Sequence, residues 1–218
     1  FALTNAQKRV LKEIRKDTLG GIQMNRLLQG DVGSGKTIVS VLTMLISIDN
    51  GYQAALMAPT EILAQQHYQN IEKLLSPLPI HVGLLTGSIK GKARKDLLEK
   101  LASGKIHVLV GTHALLEDKV IFEKLGMVVI DEQHRFGVAQ RAKLRHKHTT
   151  PPHILVMTAT PIPRSLAMVF YGDLDYSVID ELPPGRKPIL TVHRTESARL
   201  TLNGFLQKKK KKGRQVYI

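Results

Sequence analysis

Gly30-Asp31-Val32-Gly33-Ser34-Gly35-Lys36-Thr37 fits the phosphate-loop pattern G-x-x-x-x-G-K-[ST] at every position. Its glycines let the backbone curl and turn successive N–H groups toward an anion. Lys36 is placed to reach the β- and γ-phosphates, and the Thr37 hydroxyl to ligate Mg²⁺. Ninety-five positions after that lysine, the apolar run Met127–Ile130 ends in Asp131-Glu132-Gln133-His134. An acid closing an apolar strand is costly unless it meets a cation or water. Asp131 is therefore expected to hold Mg²⁺, and Glu132 to orient and deprotonate an attacking water. Lys36, Asp131 and Glu132 form the candidate catalytic set. Gly30, Asp31, Val32, Gly33, Ser34, Gly35, Lys36 and Thr37 form the candidate nucleotide-binding set. The chemistry these residues suit is hydrolysis of a nucleoside triphosphate.

Other residue groups allow two readings each. Thr158-Ala159-Thr160-Pro161 ends another apolar run, so its hydroxyls are placed to contact the acid box. Thr160 before Pro161 also fits a helix N-cap followed by the first helical position. Thr60, Thr86-Gly87-Ser88 and Gly111-Thr112-His113 bring small hydroxyl residues to strand ends and helix starts. Such positions suit the phosphate oxygens of nucleic acid, and they equally suit plain capping. His146-Lys147-His148 lies in a basic stretch of a chain without cysteine and is not read as a metal site. Aromatics are only 5% and tryptophan is absent, so a base-stacking platform has no support.

Composition narrows the class. The 218 residues suffice for one large α/β domain or two small ones, and 43% of them are hydrophobic, enough to bury a core. The absence of cysteine excludes disulfides and thiolate metal sites. No apolar stretch approaches the ~18 residues of a membrane span, so no membrane partner is expected. The N-terminus, Phe1-Ala2-Leu3-Thr4, has neither an initiator methionine nor a signal-peptide core, and reads as a cut into a longer intracellular, cytoplasmic protein. The net charge is +14. Lys208–Lys212 and Arg214 supply six of those charges, and a body still carrying +8 favours a polyanion, nucleic acid first. The lysine run itself reads as a solvated helix end.

The elements that must position these residues follow from periodicity and punctuation. Thr4 to Asp17 is predicted helical, with Ala6, Val10, Leu11 and Ile14 on one face and Thr4 as N-cap. Further helices are predicted over Lys36–Ile48, Thr60–Leu75 and Lys90–Ala102, after Pro161-Ile162-Pro163, and over Ser197–Lys210. Strands are predicted over Met24–Leu28, Gln53–Met57, His81–Leu85, Ile106–Val110, Met127–Ile130 and Ile154–Met157. Alternating helices and continuously apolar strands indicate an α/β fold, a mostly parallel sheet with helices on both faces. Ligands of such sheets sit at the carboxyl ends of the strands. Glu181–Pro188, with three prolines and a glycine, marks a domain edge. Gly213 to Ile218 reads as the start of a further strand. The expected division is 1–194 and 195–218, the latter a linker helix and the first strand of a second domain.

In this order, these segments resemble the superfamily 2 helicases. Phe1–Gln7 is similar to their adenine-reading segment, which assigns Gln7 to the base. Ala58-Pro59-Thr60-Glu61 resembles motif Ia, Thr86–Ser88 motif Ib, Gly111–Leu116 motif Ic, Asp131–His134 motif II and Thr158–Thr160 motif III. Asp131–Val138, Asp-Glu-Gln-His-Arg-Phe-Gly-Val, is shared by two families of bacterial translocases, RecG and Mfd. Ser34 in the phosphate loop and the exit Ile179–Pro188 resemble the RecG family more closely. The resemblance covers essentially the whole chain. It implies a RecA-like P-loop NTPase fold, ATP and Mg²⁺ as cofactors, and a monomeric motor that remodels branched DNA such as forks and Holliday junctions. It further implies DNA contacts at Thr60, Thr86, Gly87, Ser88, Gly111, Thr112 and His113. Coupling of nucleotide state to domain movement falls to Gln133, His134, Thr158, Thr160, Gln140 and Arg141. In that family a DNA wedge domain precedes this region and a second motor domain with the arginine finger follows, so the chain alone is expected to turn over ATP very slowly. The competing expectations are an Mfd-type translocase acting on stalled RNA polymerase, and a basic nucleic-acid-binding module without turnover.

Overall fold

The computed structural model describes residues 2–131, 151–160, 174–181 and 190–216. The chain divides into two compact units, residues 1–184 and 185–218.

The first unit opens with helix α1 (Asn5–Leu19), which buries Ala6, Gln7, Val10 and Ile14. Thr4 caps it through a reciprocal pair: its hydroxyl accepts from the Gln7 N–H at 3.2 Å and the Gln7 Oε1 accepts from the Thr4 N–H at 3.0 Å. Such a capping box contributes about 1 kcal/mol. Then β1 (Asn25–Gly30), α2 (Lys36–Asp49), β2 (Gln53–Met57), α3 (Glu61–Leu75), β3 (Val82–Leu85), α4 (Gly91–Ala102), β4 (Val108–Gly111), β5 (Leu125–Asp131), β6 (His153–Thr158) and β7 (Asp175–Ile179) follow.

The seven strands stand in the order β3-β4-β2-β5-β6-β1-β7, with every pair parallel. Their carboxyl ends therefore share one rim. From β1 to β2 and on to β3 the chain moves one way across the sheet, and from β3 to β4 it returns. Right-handed crossovers in opposite directions must pass on opposite faces. Accordingly α2 and α3 bury Val39, Met44 and Ile71 with Leu28, Leu56, Val129 and Leu155 on one face, where Val10 of α1 joins them. Leu101 of α4 packs with Leu27, Met57, Val128 and Val156 on the other. The period-two split of neighbouring strand residues between two apolar cores explains why these strands read as continuous apolar runs.

Boundaries lie within two residues of those expected from sequence, with one omission. β7 was not legible: Asp175, Tyr176 and Ser177 interrupt the apolar pattern, and an edge strand needs apolar residues on fewer surfaces. It pairs with β1 from Arg26↔Asp175 to Gly30↔Ile179. Arg26 secures this edge, donating from Nε to Asp17 at 2.7 Å and from Nη1 to Ser177 at 2.8 Å, with Glu13 at 3.5 Å. The helix expected after Pro161 lies outside the described residues.

In the second unit a 3₁₀ turn, Glu196–Ala198, runs into α5 (Arg199–Lys211). The Lys209 ammonium lies 5.0 Å from the Phe205 ring centroid. Gly213, at φ 74°, ends the helix. The expected strand does not form over Gly213–Val216. A strand without a ladder partner is not stable. Among the described residues no helix is long and apolar enough to cross a membrane.

Candidate functional site

The phosphate loop joins β1 to α2 at the rim. Gly33 and Gly35 take positive φ, 78° and 91°, and the Ser34 N–H donates to the Asp31 carbonyl at 3.0 Å. Gly30 and Gly35 also leave no room for a side chain. A Cβ on Gly35 would collide with Gln7 Nε2, and one on Gly30 would lie 2.5 Å from the Ser34 hydroxyl. Gly35 caps α2 without a side-chain hydrogen bond, and the first turn holds no acid. The positive end of the helix dipole, with no side-chain cap and no acid to offset it, therefore suits an anion. The Ser34 hydroxyl is buried with no partner among the described residues. An orphaned donor inside a glycine cradle at an uncapped helix start fits a polyphosphate. Lys36 curls over the same loop, donating to the carbonyls of Gly30 at 2.6 Å and Asp31 at 3.1 Å. Thr37 follows, half-buried in the first turn.

Gln7 reaches this loop from α1. Its Nε2 donates to the Ser34 carbonyl at 2.9 Å while its Oε1 holds the Thr4 N–H, and only 4% of the residue is exposed. The structure thus uses both ends of an amide assigned to the adenine base, leaving one N–H for any base contact. Sequence reasoning found the residue, but not that it braces the phosphate loop.

Asp131 closes β5. It pairs in register with Met157 of β6, and Met157 with Leu28 of β1. Two strand spacings, about 10 Å, separate the acid's level on β5 from β1 below the loop. Thr158 lies one residue further along β6, beside Gln29, and its hydroxyl accepts from the Thr160 N–H at 3.2 Å. Thr158 is buried and Thr160 exposed. Asp131 and Thr37 supply oxygen donors of the kind magnesium takes, one or two protein oxygens beside substrate phosphates. No cluster of three or more metal-ligating side chains exists among the described residues, so no all-protein cage competes with that arrangement. Glu132, Gln133, His134, Gln140 and Arg141 lie outside the described residues, as do His146 and His148.

Two features were not anticipated. His67 of α3 donates from Nε2 to Asp131 Oδ2 at 2.8 Å. Its only sequence signal was a histidine on the inward stripe of a helix, three residues after Ala64 and four before Ile71. The exit of β7 is tied back to α1: Glu181 Oε2 accepts from the Ala6 N–H at 3.0 Å, and Arg9 donates to Val178 O and Asp180 Oδ1, both at 2.9 Å. The Arg9 hydrogen bond holds the Asp180 carboxyl below its usual range. A cavity of about 160 Å³ opens beside the loop, lined by Gln29, Gly30, Asp31, Ala159 and the β7 exit.

The other half of the rim is different. Thr60 caps α3, accepting from the Leu63 N–H at 3.3 Å. The hydroxyls of Thr86 and Ser88 bond each other at 2.7 Å. Thr112 is buried, its hydroxyl unpartnered among the described residues. Gly111 is buried too, and any Cβ there would strike the Leu85 carbonyl, so the position needs a glycine. Gly87, Ser88 and His113 are exposed. Lys90, Lys92 and Lys95 stand exposed at the start of α4.

The profile of the DEAD/DEAH box helicase family matches residues 4–169. The ATP-dependent DNA helicase RecG of Aquifex aeolicus is 54% identical over all of this chain, which covers 28% of that protein. RecG of Bacillus subtilis is 55% identical over the whole chain and 32% of its own length. The chain therefore spans about a third of the curated relatives it matches. A solved structure of RecG bound to a three-way DNA junction superposes with a TM-score of 0.87 at 45% identity, over 98% of this chain and 28% of that one. The Hef helicase domain of Pyrococcus furiosus, with a TM-score of 0.59 at 19% identity, shares the fold.

Proposed function

The chain belongs to the DEAD/DEAH box helicase family, and from that premise we propose that it is the first RecA-like motor domain of an ATP-driven, RecG-type DNA translocase acting on branched DNA. The observation that carries this reading is the uncapped phosphate loop sharing a rim with Asp131, on a chain similar throughout its length to RecG. The +14 charge and the exposed lysines of α4 favour a duplex backbone as partner. Residues 195–218 are then the linker helix and the start of a second motor domain. The full protein is expected to be a cytoplasmic monomer.

The roles follow from position. The loop N–H groups and the start of α2 hold the phosphates, and Lys36 neutralises their charge. Thr37 and Asp131 would hold magnesium, which supplies electrostatic stabilisation of the transferring phosphoryl group. Glu132 takes the proton of the attacking water. Gln7 braces the loop from the base-side helix. Thr158, Thr160, Gln133, His134, Gln140 and Arg141 report nucleotide state to the second motor domain. Thr60, Thr86, Gly87, Ser88, Gly111, Thr112 and His113 mark the DNA side of the rim, with Gly87, Ser88 and His113 placed to touch it.

ATP turnover by the full-length protein tests the reading, measured without DNA, with linear duplex and with a synthetic fork, beside Glu132→Gln. Fork-selective stimulation that Glu132→Gln abolishes is expected. Equal stimulation by linear duplex would refute the branch preference, and no response to any DNA would refute the motor.

A further inference from the structure

Resting on that reading of Asp131, we propose that His67 is a positioning residue for the metal site: it holds one carboxylate oxygen of Asp131 so that the other is presented to magnesium. The inward stripe of α3 is otherwise apolar, with Ala64, Ile71 and Leu75 buried. A polar ring on such a stripe is costly unless it is partnered, and so is an acid ending an apolar strand. Each satisfies the other at 2.8 Å, across 64 residues of sequence, with side chains only 13% and 14% exposed.

Stability alone gives no reason for this pair. A buried polar pair holds two elements together no better than well-packed apolar groups of similar volume. What an apolar pair could not do is orient a carboxylate. With Oδ2 held by the ring, the rotation of the carboxyl group is set, and Oδ1, which takes no hydrogen bond among the described residues, is presented to a cation. Carboxylates that bind metals are themselves hydrogen-bonded, and loss of such a partner typically lowers metal affinity or activity about 10–100-fold. The helix that carries His67 begins at Thr60, so the nucleic-acid half of the rim and the acid of the nucleotide half meet on one rod.

The test compares His67→Gln with His67→Asn in the full-length protein. Both carry an amide, but only glutamine has the length to reach Asp131. The measurements are the magnesium concentration that half-saturates ATP turnover and, separately, the magnesium dependence of fluorescent-ADP binding. His67→Asn is expected to raise both midpoints about 10–100-fold, with affinity for the metal-free nucleotide unchanged. His67→Gln should stay within about threefold of the parent. Parent-like midpoints in His67→Asn, or equal losses in both variants, would overturn the proposal. Asp131→Asn separates the two levels. If it shifts the midpoints and His67→Asn does not, only the inference on His67 fails. If Asp131→Asn leaves them unchanged, the metal-site reading falls as well.

Discussion

The two halves of the rim are built on different principles. In the nucleotide half, local loop contacts are braced by side chains from far away in sequence: Gln7 holds Ser34, 27 positions on, and His67 holds Asp131, 64 on. In the half around Thr60, Thr86 and Ser88, the hydroxyls serve neighbours two or three residues off. On the proposed reading, long-range bracing suits a site that holds a triphosphate and a cation within tenths of an ångström. Local capping suits a surface that follows a phosphate backbone, where charge matters more than geometry. Mutations in the first half should therefore remove chemistry, and mutations in the second should change binding by small, salt-dependent amounts.

The largest effect is expected from Lys36→Ala, a loss of at least about 100-fold in ATP turnover, followed as phosphate release. A smaller loss would mean that the loop holds nucleotide without activating it. Gly35→Ala probes the bracing itself. At φ 91° and against Gln7, an added methyl strains the loop by about 1–3 kcal/mol, so thermal stability and nucleotide affinity should fall together. On the other half, Thr60→Ala should cost about 1 kcal/mol of stability through the lost cap, and Thr60→Asp should restore it. If DNA affinity follows Thr60→Asp downward while stability recovers, the residue contacts phosphate as well as capping α3. Lys92→Ala should weaken DNA binding modestly and reduce the salt dependence by about one unit of slope.

The opposite rim, at the amino ends of the strands, provides a control that should leave both halves untouched. Burial holds the His153 imidazole below its ordinary value, with Asp17 pulling weakly the other way, and its Nδ1 accepts from the Met24 N–H at 2.9 Å. Below the ordinary value of 6.5 the unfolded chain binds more protons than the folded one. This contribution is complete above that pH and is lost as pH falls through the folded value. Melting curves between pH 7 and 5 should show a decline that His153→Gln flattens, while nucleotide binding at pH 7 is unaltered.

Much of this was legible in the residues. The phosphate loop is a local motif whose function lies in its own backbone, so glycines at fixed spacing identify it. The strands β2 and β4 to β6, buried on two faces, announce themselves as apolar runs. Thr4 and Thr60 were readable as caps because capping is a contact over three residues. What escaped was β7, whose Asp175 and Ser177 break the pattern because they serve Arg26 at the edge of the sheet. His67 escaped because nothing local marks it.

The sequence by itself determined the class of chemistry and the alternation of elements, since both depend on interactions within a few residues. Tertiary structure decided which strands are neighbours, and therefore that Asp131 stands two strands from the loop with His67 against it. It also decided that Gln7 spends both ends of its amide inside the protein, and that Gly111 is a packing requirement. Those outcomes depend on strand order and on the right-handed crossovers that put α3 on one face and α4 on the other. No spacing along the chain records them.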